Sequence, residues 1–113
     1  MDPATELLGH PRFSWREGMR DRRGVRVVDL ELLDGMEAPD LSDAATAGVV
    51  LQMLDETGRF TDVVRQQGEF VVAVDLPEDG VTGWVADTLG EAAALALLGL
   101  WEVLDFDAVE SEA

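Results

Sequence analysis

Cysteine is absent from the 113 residues of this chain. That excludes a disulfide framework, a thiolate metal site and a thiol nucleophile. Lysine is absent as well, so every basic side chain except His10 is an arginine. A GC-rich genome tends to encode that bias, and halophilic solvent adaptation produces the same preference for acid over lysine. The longest near-continuous apolar stretch, Ala92 to Trp101, is about half of the ~20 residues needed to span a bilayer. The first residues, Met1 to Glu6, lack the basic region and apolar run of a signal peptide. A cytoplasmic location without membrane contact is therefore expected.

Catalytic signatures are missing too. His10 is the only histidine, and no His-x₃-His pair or Asp-x-Asp-x-Asp-Gly calcium loop accompanies it. Ser14, Ser42 and Ser111 are the only serines, none within a G-x-S-x-G elbow. No glycine-rich phosphate loop is present. Asp75 to Gly80 offers oxygen ligands but reads better as a turn, and Asp105 with Asp107 reads better as a solvated tail than as an acid–base couple. A non-enzymatic protein without cofactor or metal is the expectation.

What the chain does carry is negative charge, unevenly placed. Its formal net charge is −16. Met1 to Arg26 holds six arginines against four acids, a net of +2; Val27 to Ala113 holds 20 acids against Arg59 and Arg65, a net of −18. So much like charge repels itself and favours basic partners. It also argues against direct nucleic-acid binding, because phosphate recognition needs Lys and Arg to displace counterions. The arginines at 12, 16, 20, 22, 23 and 26, interleaved with Phe13 and Trp15, admit two readings. They form either a phosphate-gripping arm or a segment folded back on the acidic body as ion pairs, and the second is favoured.

Periodicity organises the chain as one domain over residues 1–113, with an Arg-rich segment 10–26 and a frayed acidic tail 105–113. Asp2 to Gly9 reads as a short helix, broken by His10-Pro11. Val25 to Leu33 alternates with period two, as a half-buried strand does, and Asp34-Gly35 closes it. A helix follows over Asp43 to Thr57, capped by Ser42 or Asp40, with Ala44, Ala47, Gly48, Leu51 and Leu54 on its packing face. Phe60 to Gln66, Glu69 to Leu76 and Val81 to Ala86 are predicted strands joined at Gln67-Gly68 and Pro77 to Gly80. Thr88-Leu89-Gly90-Glu91 matches a capping box for a last helix ending near Leu104. That helix is apolar nearly all round, so it is either sandwiched in a core or used for self-association. The fold class expected is α+β: a small, mostly antiparallel sheet packed on one face by two main helices. Phe70, Val72, Val74, Leu51, Leu54, Leu95, Leu98 and Trp101 are its expected core.

His10-Pro11-Arg12-Phe13 with Trp15 and Gly18-Met19, followed by Pro39-Asp40-Leu41-Ser42-Asp43-Ala44-Ala45-Thr46 with Gly48, resembles a recurrent group of small phage and prophage accessory proteins. The resemblance covers nearly the full length, but its motifs punctuate structure and carry no chemistry. It departs from the group in its acidity and its leucine-rich last helix. What it implies is an accessory protein acting inside a bacterial host.

Two functions follow as expectations. In the first, the acidic body docks on a basic host protein or complex, as a nucleic-acid mimic of the anti-CRISPR kind. Its candidate partner-binding residues are Asp29, Glu31, Asp55, Glu56, Asp62, Glu69 and Asp75. The alternative is an assembly protein that self-associates through its apolar last helix; monomer and homodimer both remain open.

Overall fold

The computed structural model describes residues 2–32 and 35–112, with side chains of Leu32 and of residues 106–112 left aside. Met1, Leu33, Asp34 and Ala113 lie outside the described residues. Three helices, α1 (Pro3–Gly9), α2 (Ala44–Glu56) and α3 (Leu89–Glu112), accompany three strands, β1 (Phe60–Gln66), β2 (Glu69–Leu76) and β3 (Gly80–Ala86). The strands form an antiparallel meander in the order β1-β2-β3. The architecture is α+β, as the periodicity predicts.

Local chemistry sets the element ends. Asp2 caps α1 by accepting from the Thr5 amide at 3.1 Å, and Pro3 stands in the first turn, where a missing N–H costs nothing. Asp43, rather than Ser42 or Asp40, caps α2 by accepting from the Thr46 amide at 3.0 Å. Asp40 instead folds onto Ser42, accepting from its amide at 3.1 Å. The Thr88 hydroxyl accepts from the Glu91 amide at 3.2 Å and starts α3. Gln67 and Gly68 both adopt positive φ between the paired Gln66 and Glu69, the two-residue hairpin geometry that matches strand twist.

The sheet's inner face is Phe70, Val72, Val74 and Leu76 of β2 with Phe60 and Val63 of β1 and Trp84 of β3. Phe60 and Val63 both reach the core because the register shifts between Phe60 and Asp62, a bulge that absorbs Thr61. Against this face lies α3, which also packs on α1 and α2. Ala92, Ala93, Ala94, Ala96, Leu97, Leu100 and Trp101 of α3 are all buried. The apolar character of this helix is therefore spent largely inside the chain, between other elements. Two glycines permit its close contacts. A Cβ at Gly90 would lie 2.0 Å from the Leu41 carbonyl oxygen, and one at Gly99 would lie 2.5 Å from the Trp84 ring.

Four expectations need correction. Val25 to Leu32, the described part of the expected strand ending at Leu33, is not a strand: its pairing is confined to Val25–Val27, which bond to the backbone of Asp21, Met19 and Gly18 around the isolated Arg20–Arg26 bridge. Val27 alone of its aliphatic residues through Leu30 is buried, while Val28 is 77% exposed. Beyond Val27 the Asp29 carboxylate accepts from the Glu31 amide, turning the chain into a 3-10 turn at Leu30–Leu32. The packing face of α2 is rotated, burying Thr46, Ala47, Val50, Met53 and Leu54 while Ala44 and Gly48 face solvent. The larger Val50 and Met53 fill more core volume than Ala44 and Gly48, and the Thr46 hydroxyl is satisfied by donating to Asp43 and accepting from the Arg20 amide. On α3 the buried face is Ala93, Leu97 and Leu100, so Leu95 and Leu98 are only half-buried, as are Leu51 and Phe70. Finally, α3 runs on to Glu112 instead of stopping near Leu104.

Candidate interaction surface

Residues 12–26 wrap over the helical side of the domain, and their six arginines all turn inward to oxygen. The Arg12 guanidinium meets Asp105 on α3 at 2.7 Å. Arg16 makes a two-pronged contact with Glu56 at the end of α2, at 2.6 and 2.7 Å. Arg20 stands 3.5 Å from Asp40, and Arg22 pairs with the helix cap Asp2. Arg23 reaches Asp21 and donates to the Gly35 carbonyl at 2.6 Å. Arg26 grips Asp43 at 2.8 and 3.1 Å and donates to the Gly18 carbonyl. The fold-back reading of this segment is the observed one. Exposed pairs of this sort contribute about 0–1 kcal/mol each; their larger consequence is where charge remains.

These pairs leave signatures on the carboxylates. Arg26 holds the Asp43 carboxyl well below the usual range, with the Thr46 hydroxyl and amide adding to it. The Thr5 amide, supported by Arg22, brings Asp2 down to about 2. Arg16 lowers Glu56 in the same way. Asp21 is fully buried, which by itself raises its pKa, yet the value is lowered because the Val25 and Glu37 amides and Arg23 outweigh the desolvation. Its two oxygens accept from the amides of Arg23, Val25 and Glu37 at 3.0, 2.9 and 3.1 Å. Sequence reasoning passed over Asp21 as one more acid among arginines. The Asp-Arg-Arg-Gly run was its only available signal, since an aspartate often closes a turn on downstream amides.

The seven candidate carboxylates fall in three places. Asp29 and Glu31 are exposed at the 3-10 turn. Asp55 and Glu56 are exposed at the end of α2, but Glu56 is committed to Arg16 and is no free binding residue. Asp62, Glu69 and Asp75 are exposed on the sheet, and their register puts all three on its outer face. Glu69 and Asp75 stand about 20 Å apart along β2, given a rise of ~3.4 Å per residue. Asp62 sits diagonally across from Asp75. Residues 59–87 carry six acids against Arg59 and Arg65, a net of −4; among the described residues none of the six carboxylates enters an ion pair, while the Arg59 guanidinium donates to the Asp75 carbonyl at 3.4 Å. Arg65 does not offset the outer face, because its guanidinium lies 5.4 Å from the centre of the inward Phe70 ring.

Between these carboxylates lies a feature the sequence reading did not single out. Val64, Val71 and Val85 form one cross-strand row, Ala73 and Gly83 the next, and Val81 stands opposite Asp75. Val81 is 68% exposed, Val85 51% and Val64 46%. The alternation Val81-x-Gly83-x-Val85 was its signal, and it is easily read as an interior face.

Elsewhere the chemistry is sparse. His10 stacks on Trp101 with ring centres 4.6 Å apart, and its Nδ1 accepts from the Arg12 amide at 3.0 Å. An open groove of about 600 Å³ between α1 and α3 is lined by Glu6, His10, Leu98, Glu102 and Asp105, among others. Among the described residues no group of His, Asp or Glu is arranged to hold a metal ion. No helix among them is long and apolar enough to cross a membrane. Comparison of the chain with protein-family models, curated proteins and solved structures finds no match.

Proposed function

We propose that this chain is a non-enzymatic binding protein whose uncompensated acidic surface docks on a basic host protein inside a bacterial cell. The observation that carries this reading is the inward commitment of all six arginines of residues 12–26. Their engagement with carboxylates speaks against a phosphate-gripping arm and supports a reading in which the negative charge elsewhere meets a basic partner. Together with the phage-type resemblance, this favours a partner that itself handles nucleic acid, a basic channel that carboxylates occupy in place of phosphates. The burial of α3 against α1, α2 and the sheet removes much of the motive for self-association through that helix.

The test is capture from host lysate at low and high salt, followed by identification of the captured protein and competition with duplex DNA. Charge reversal at Asp29, Glu31, Glu69 and Asp75 is expected to weaken capture, mainly by slowing association. Neutralising the arginines from Arg12 to Arg26 is expected to matter less. A loss confined to the arginine set would sink the proposal, and capture indifferent to DNA would remove the mimicry within it.

A further inference from the structure

The geometry points to the outer face of the sheet as the docking site, with a valine floor and an acidic border that fit a basic protein surface bearing an apolar centre. The inference rests on the binding reading above and makes it local. Three observations place it here.

First, the floor is apolar and uncovered. Val64, Val71 and Val85 align across the three strands, with Val81 beyond them, and the helices pack on the opposite face. Solvent-exposed aliphatic residues scattered singly mean little, but a contiguous row on a rigid sheet has the make-up of an interface centre. The floor is closely packed at its centre. A Cβ at Gly83 would lie 2.9 Å from Val71 Cγ1, so the Val71 side chain lies close over the glycine.

Second, the border selects the sign of the partner. Asp62 and Asp75 stand at one end of the floor and Glu69 at the other, and no described arginine pairs with any of them. A second copy of this chain would bring those carboxylates against themselves at a cost that only high salt relieves. A surface with arginine or lysine around aliphatic residues meets both parts at once, the long basic side chains laying their stems on the valines and their charges at the border.

Third, one of the two sheet edges is closed to strand addition. β1 is an edge strand, but the bulge at Thr61 and the charges of Asp62 and Arg65 blunt it against strand addition.

The full chain, labelled for amide NMR, is titrated with two synthetic peptides of equal charge, one alternating arginine with valine and the other alternating arginine with serine. The Arg–Val peptide is expected to bind roughly tenfold more tightly, the factor that burying a few methyl groups supplies. Its shifts should centre on Val64, Val71, Gly83 and Val85. V81S/V85S, first shown to melt like the parent, should abolish the difference between peptides, while D62N/E69Q/D75N should weaken both. Equal binding of the two peptides with V81S/V85S silent would overturn the sheet-face inference and leave acidic docking standing. Failure of either peptide to bind even at low salt would overturn the binding reading itself. Salt-promoted self-association lost in V81S/V85S would name a second copy as the occupant and overturn the inference.

Discussion

The helical side of this domain and the outer face of its sheet carry similar acids under opposite conditions. On the helical side Asp2, Asp21, Asp40, Asp43, Glu56 and Asp105 each meet an arginine from residues 12–26. On the sheet the carboxylates of Asp62, Glu69 and Asp75 pair with none among the described residues, though Arg59 donates to the Asp75 carbonyl. Net charge alone does not distinguish these regions. The chain gathers its cations into one stretch and uses them to hold a loop-rich segment in place, and the remainder of the surface keeps its field. An acidic protein is thus close to neutral over its clasped helical side and strongly negative over its sheet.

The sharpest way to separate the two regions is to remove one side chain from each. Asp21→Ala leaves the buried-side amides of Val25 and Glu37 without their acceptor and is expected to cost about 2–4 kcal/mol. Val81→Ser, on the open face, should stay within about 0.5 kcal/mol. Chemical denaturation of both variants measures the contrast. Comparable losses would mean that the valine row is part of the structural core and not a surface.

Acid should act on the clasped side. A carboxyl whose folded pKa is depressed contributes stability above its unfolded value and loses that contribution as pH falls through the folded value. For Asp2 the window runs from ordinary aspartate titration down to about 2. Asp43, Asp21 and Glu56 are shifted in the same direction and add to it. Melting temperature followed from neutral to strongly acidic pH should therefore fall most steeply below about pH 4. Asp43→Asn should be less stable than the parent at neutral pH, and the gap should close at the acid end. A constant gap across the range would show that the Asn replacement acts through packing alone.

Salt should produce the smallest effect, and its sign is informative. Screening weakens the arginine pairs but also relieves repulsion among unpaired carboxylates over a Debye length of ~8–10 Å. With a net charge of −16 the second effect should prevail, so melting temperature should rise from low to moderate NaCl at neutral pH. D62N/E69Q/D75N should flatten that rise. A fall with salt would mean that the clasps outweigh the open field, and folding only at molar salt would favour halophilic adaptation.

Most of the fold was legible because its elements carry local signals. β2 alternates cleanly, Gln67-Gly68 and Pro77 to Gly80 mark the turns, and Thr88 to Glu91 spells a helix start. Val25 to Leu33 misled because alternation reports a face without reporting a neighbour; a strand also needs a continuous ladder partner, and residues 18–21 supply one only as far as Val27. The phase errors on α2 and α3 share a cause. Small residues satisfy an apolar pattern at several rotations, so Ala44 and Leu95 looked interchangeable with Val50 and Leu97 until the partners were in place. Of the candidate site, the acidity was readable, but its partition was not. That Glu56 is engaged and Glu69 is open depends on contacts across 40 or more residues, such as Arg16 to Glu56.

The order in which the chain is made gives the arginine clasps a temporal side. Arg12 and its partner Asp105 are 93 residues apart, so the positive segment leaves the ribosome long before its last counter-ion is translated. At ~5–20 residues per second that interval is about 5–20 s. The meander, whose strands are joined by short turns, needs no such wait. Arg22 and Arg23 meet acids already made, Asp2 and Asp21, and Arg26, Arg20 and Arg16 find theirs at Asp43, Asp40 and Glu56, so Arg12 alone waits for α3. The Arg12–Asp105 clasp is therefore the last of the six to become possible, tying the positive segment to α3 only after the rest of its charge has been matched.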